Sequence, residues 1–170
     1  MSTPGTLTPS TGIDPRSPRF GAGITAVLLV VVLLLGLGSA GHPPTGIAAR
    51  ASEPAFILLA VISALFAWGA FAGVKRHPYG ILYRALLRPR LGAPTELEDP
   101  KPPTFAQGVG FVITAAGVLL ALAGVPYALV VAAAAAFVAA FLNSVFGYCL
   151  GCQLYLLLVR LARPKPTARA

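Results

Sequence analysis

The sequence predicts an all-α membrane protein: a four-transmembrane-helix bundle with an interfacial amphipathic helix and a short C-terminal helix. Three observations predict it. Of the 170 residues, 56% are apolar and only 11% are charged, where a soluble domain sits nearer a quarter charged. Charge-free apolar runs of roughly 20 residues, the length that crosses a bilayer's hydrocarbon core, recur along the chain. The 13 Lys and Arg far outnumber the 5 Asp and Glu and flank these runs, as expected for topology and contact with anionic lipid. A net charge of +8 would suggest nucleic acid in a soluble protein. Here no soluble domain is left to bind it, so membrane lipid is the expected partner and nucleic acid is not.

The elements follow in order. Residues 1–18 are rich in Ser, Thr, Pro and Gly and read as a disordered N-terminal tail, because they hold too few apolar groups to offset the entropy of ordering. Residues 19–161 read as one membrane domain. Its first span covers about 20–38, a Val- and Leu-rich run without charge. Gly38-Ser39-Ala40 also resembles a signal cleavage site, but the run is long for a signal peptide and is read as a retained span. Residues 41–53, punctuated by Pro43-Pro44 and Gly46, read as a loop. Ser52-Glu53-Pro54 resembles a helix start, opening a second span over about 54–74. Lys75-Arg76-His77-Pro78 stops it.

Within the polar connection that follows, Tyr79, Leu82, Tyr83, Leu86 and Leu87 recur at helical spacing with Arg84 and Arg88 between them. That pattern predicts an interfacial helix over about 79–88, ended by Pro89. Glu96-Leu97-Glu98-Asp99-Pro100 reads either as a solvated acidic turn paired with the arginines before it, or as a docking patch or a latch to the interfacial helix. The third span covers about 105–124. A tight turn at Gly124-Val125-Pro126 leads into the fourth, about 126–146, whose five consecutive alanines from Ala132 suit close helix packing. A break near Gly147–Gly151 precedes a terminal helix over about 150–161. Residues 162–170 form a basic tail interrupted by Pro164 and Pro166. The loops after the first and third spans carry little positive charge, so the positive-inside rule puts both termini in the cytoplasm. Cys149 then lies about 34 Å along from Pro126 at 1.5 Å per residue, at the cytoplasmic edge of the bilayer.

The chemistry concentrates in Asn143 to Tyr155. Both cysteines, Cys149 and Cys152, lie there three residues apart, on one face of a helix and within reach of a disulfide if the helix opens slightly. They are the candidate catalytic residues. Cys149 is the expected attacker, because a thiol nearer a helix start has the lower pKa, and Cys152 resolves the mixed species. Asn143, Ser144, Tyr148 and Gln153 are the candidate supporting side chains, with Tyr155 beyond them. Two other readings stay open for the cysteines: inert packing, and a metal site that needs further ligands. His77 is on the same side and could be one such ligand; His42 is on the other. No metal and no cofactor are assigned. No Asp, Glu, Lys or Arg falls inside a span, which argues against coupled transport and leaves open only a small sulfur-species transporter with the cysteines as relay points. Phosphate-cradling Gly-Lys-Ser/Thr loops, His-Glu-x-x-His helices and nucleophile-elbow serines are missing from the sequence. Gly69, Ala70, Gly73 and the alanine run suit a scaffold subunit or simple intramolecular packing.

Three stretches together resemble a known family. They are Asp14-Pro15-Arg16-x-Pro18-Arg19-Phe20, then Phe105-Ala106-Gln107 following the acidic turn, and Asn143-x-x-Phe146-Gly147-Tyr148-Cys149-Leu150-Gly151-Cys152. This sequence is similar, over about 14–159, to the bacterial membrane proteins of domain-of-unknown-function family 4395. The resemblance implies a small multi-span protein of the bacterial plasma membrane. It also implies, through neighbouring genes in actinobacteria, a thioredoxin-like or rhodanese-type sulfurtransferase partner. No activity comes with the family, and no oligomeric state.

Overall fold

A computed structural model of the chain describes residues 12–162. It is all-helical apart from one isolated bridge. Helix α1 (Arg16–Gly36), α3 (Pro54–Ala72), α6 (Lys101–Leu122) and α7 (Ala128–Phe146) are long and apolar enough to cross a membrane. Short helices join them: α2 (Ile47–Ala51), α4 (Pro78–Leu86) and α5 (Arg88–Leu91), with a 3-10 turn at Val74–Arg76 before α4. The last helix, α8, runs Leu150–Ala162. The long helices close a ring in which α1 packs on α7 and α3, and α6 packs on α3 and α7. Helices α1 and α6 therefore occupy opposite corners.

Small residues let these helices approach. Ala133, Ala136 and Ala140 of α7 pack into one core with Ala26, Leu29 and Val32 of α1 and Leu59 and Ile62 of α3. Gly117 of α6 lies against Ala132, Gly110 against Phe66, and Gly69 against Gln107. In lipid there is no water to drive helices together, so close packing of small side chains supplies the attraction. These contacts also account for Gly69 and the alanine run without a partner protein. Two buried threonines of the interior are satisfied within their own helices. The Thr25 hydroxyl donates to the Gly21 carbonyl at 3.0 Å and Thr114 to that of Gly110 at 2.8 Å. Large apolar side chains such as Leu34, Phe71, Val112, Leu119 and Val131 point outward. In water that would be an adhesive surface; in a bilayer it faces its own kind.

The two ends differ. At one end, Arg50 donates to the carbonyls of Pro44 at 2.8 Å and Leu122 at 3.1 Å. It thus covers the free carbonyls of the α6 terminus with a cation. Tyr127, at φ 59°, turns the chain into α7 and donates its N–H to the Ala40 carbonyl at 2.7 Å. At the other end, Ile13 and Glu98 exchange two backbone hydrogen bonds of 2.9 Å. Asp14 accepts from the Arg16 Nε and Nη2 at 3.0 Å each, and from the Tyr83 hydroxyl at 3.0 Å. Arg16 also reaches the carbonyls of Leu91 and Gly92.

Several expectations are corrected here. The tail ascribed to 1–18 lies outside the described residues up to Thr11, but Gly12 to Pro18 is ordered. Asp14 is held by Arg16 and Tyr83, and α1 begins at Arg16, ahead of the charge-free run. The loop over 41–53 contains α2. Pro89 does not end the interfacial helix; α4 stops at Leu86, and Pro89 sits in the first turn of α5, where its missing N–H costs nothing. Among the described residues the acidic turn does not pair with the arginines. The Asp99 carboxylate accepts the Lys101 N–H at 2.9 Å at the start of α6, and Glu98 latches by its backbone to Ile13. The basic tail from Arg163 lies outside the described residues.

Candidate functional site

The site is a helix break. Helix α7 ends at Phe146, and Gly147 takes a left-handed conformation, φ 67°, which glycine adopts without a β-carbon penalty. The N–H groups of Gly147 and Tyr148 then bond the carbonyls of Asn143 and Leu142, both at 3.1 Å, so the frayed end of α7 is satisfied. Three residues later α8 begins. Cys149 lies just before its first residue, in the position of a cap, and its sulfur accepts the backbone N–H of Cys152 at 3.3 Å. The Cys149 carbonyl accepts the N–H of Gln153 at 3.0 Å. The α-carbons of Cys149 and Cys152 are 5.2 Å apart and their sulfurs are paired as a disulfide. Both residues are half-buried.

Other elements hold α8 in place. A β-carbon built on Gly151 would stand 2.6 Å from the α-carbon of Ala106, so glycine is needed for α8 to lie on α6. Tyr155 packs its ring on Phe105, with centroids 5.6 Å apart. The guanidinium of Arg19 rests on the α-carbon of Gly147. All three stretches that carry the family resemblance therefore meet at one end of the bundle. Arg19 and Ala106 were not singled out as site residues from sequence. Their contacts join positions far apart in the chain, and only their place inside the quoted stretches hinted at them.

The four supporting candidates are placed as follows. Asn143 gives its backbone carbonyl to the turn. The Ser144 hydroxyl donates back to the Phe141 carbonyl at 3.1 Å. Tyr148 is exposed and uses its N–H for the turn, and Gln153 is exposed and uses its N–H for the cap. The hydrogen bond that reaches sulfur comes from the backbone of Cys152. His77 is buried and fully engaged. Its Nδ1 accepts the Tyr79 N–H at 3.2 Å as a cap for α4, and its Nε2 lies 3.1 Å from the Leu65 carbonyl. The proton is therefore on Nε2 and the ring is neutral; burial pushes its pKa below the ordinary value. Neither nitrogen is left for a metal. Among the described residues no group of three or more His, Cys, Asp or Glu converges on one point.

Fold and site together define a class: a polytopic α-helical membrane protein with a cysteine pair at the N-terminus of its last helix. The family described as Domain of unknown function (DUF4395) matches residues 13–160. The chain belongs to that family. No curated protein and no solved structure matches it.

Proposed function

We propose that this chain is a membrane-anchored dithiol carrier that exchanges electrons with a thiol-bearing protein at the cytoplasmic edge of the bacterial plasma membrane. The observation that supports it most is the Cys152 N–H donating to the Cys149 sulfur at the start of α8. In the reduced pair the same N–H and the positive end of a helix of 13 residues favour thiolate at Cys149. After the turn at Gly147, Cys149 is half-exposed.

The exchange balances as follows. The Cys149 thiolate attacks one sulfur of a partner disulfide, and the partner's other sulfur leaves as thiolate. Cys152 gives its proton to solvent and attacks the Cys149 sulfur. The second partner sulfur leaves, the pair is oxidised, and the partner has gained two electrons. The reverse path reduces the pair. With a partner persulfide, attack by Cys149 takes up its outer sulfur, and resolution by Cys152 releases hydrosulfide. The family resemblance supports a thioredoxin-like protein or a rhodanese-type sulfurtransferase as that partner.

Trapping tests the proposal. In membranes, the Cys152→Ala variant is expected to accumulate a mixed disulfide through Cys149 with a thioredoxin-like protein, and Cys149→Ala is expected to give far less. A soluble maleimide should label both thiols of the native protein after reduction and neither before it. Thiols that stay unlabelled in the reduced protein until it is denatured would overturn the proposal in favour of inert packing.

A further inference from the structure

We infer that the basic end of the bundle holds a binding site for an anionic phosphoryl group, separate from the cysteine pair. A cavity of about 440 Å³ opens there between the segment leading into α1, the 3-10 turn, and α4 and α5. Lys75, Arg84 and Arg88 line it, one cation from each of three successive elements. The Lys75 carbonyl positions the Arg84 guanidinium, accepting from both terminal nitrogens at 3.4 Å. Arg88 makes no hydrogen bond or ion pair among the described residues. Asp14 is the one carboxylate in the lining, and it is already engaged by Arg16 and Tyr83. His77, also in the lining, is held neutral by its two hydrogen bonds.

The cavity therefore carries an excess of positive charge, with the donors of Arg88 unspent among the described residues. Guanidinium groups match the oxygens of a phosphoryl group in geometry and charge. The Ser17 hydroxyl, in the first turn of α1, lines the same space. Ile13, Val74 and Leu97 add apolar wall beside them. The cavity also lies where the long helices end, at the depth of lipid headgroups. An anionic phospholipid headgroup and a soluble phosphate ester share the required chemistry.

Binding by the full-length protein in zwitterionic mixed micelles tests this. Phosphatidylglycerol is titrated in one arm and glycerol phosphate in the other, with thermal stabilisation as the readout. Saturable stabilisation is expected, and its affinity should fall at least about tenfold in Arg84→Gln/Arg88→Gln, through loss of charge-assisted bonds. The control Arg76→Gln/Arg90→Gln removes the same charge outside the lining and should keep the affinity. Arg84 and Arg88 are exposed, so the ligand-free melting temperature should not move; Arg88→Gln alone provides a milder second variant. Saturation by phosphatidylglycerol alone identifies the lipid headgroup, and saturation by glycerol phosphate identifies a soluble ester. Equal losses in both double variants, or no saturable response in either arm, would overturn the inference.

Discussion

Gly147 sets the direction of everything after α7. Its positive φ is costly for any residue with a β-carbon, and such a carbon would also meet the Arg19 guanidinium. The two penalties differ in kind. The guanidinium is the far end of a flexible side chain and can move aside, whereas the dihedral cannot relax without re-aiming α8. The Gly147→Ala variant is therefore expected to lose about 1–2 kcal/mol from the left-handed conformation. Adding Arg19→Ala should restore little of it. Thermal unfolding of the two variants in detergent checks this; full rescue by Arg19→Ala would show that crowding, and not φ, makes glycine necessary. At this scale the sequence was informative about Cys149, Cys152 and the break between them, because spacing and glycine content are local. It gave no role to Ala106 and Arg19 beyond their place in the family stretches. What makes those two matter is a contact across the bundle, and no local pattern encodes that.

At the scale of elements, the junction between α3 and α4 turns on His77. It caps α4 through Nδ1 and holds the carbonyl of Leu65, inside α3, through Nε2–H, so it works only as the neutral ring. Burial depresses its pKa, with the Leu65 hydrogen bond opposing that in part. The unfolded chain, with an ordinary value of about 6.5, binds the proton more readily. Stability from this group is thus complete above about pH 6.5 and is lost as pH falls through the lower folded-state value. The melting temperature is expected to drop between pH 7.5 and pH 5. His77→Asn, which keeps a capping side chain without a titrating ring, should be flatter over that window. A variant that follows the same curve would assign the pH dependence elsewhere. The boundary errors in the sequence reading have a common cause at this scale. Charge-free runs locate the middle of a membrane helix well, but first turns tolerate charge and proline. Arg16 and Lys101 accordingly read as lying outside helices that they in fact begin, and Pro89 reads as a helix end although it sits in the first turn of α5.

Across the whole molecule, charge separates along the bundle axis. Arg16, Lys75, Arg84, Arg88, Arg90 and Lys101 sit at the end that carries the cysteine pair and the cavity, on segments joined by the Ile13–Glu98 bridge and the Arg16 bonds. The opposite end has Arg50, spent on backbone carbonyls, and Glu53, which accepts the Ser39 hydroxyl at 2.8 Å. By the positive-inside rule, such asymmetry is expected to put the basic end in the cytoplasm. A background of Cys149→Ser/Cys152→Ser with single cysteines at exposed sites makes this testable without altering any charge. An impermeant maleimide applied to intact spheroplasts should label His42→Cys directly, and Ala93→Cys only after the membrane is opened. Labelling of both from outside would break the four-span topology. The reverse pattern would keep the topology and invert the protein. That inversion would move the cysteine pair from a compartment that keeps thiols reduced to one where disulfides persist. Under the proposed function, the resting state of the pair, and with it the direction of electron exchange, would follow from which way the arginines point.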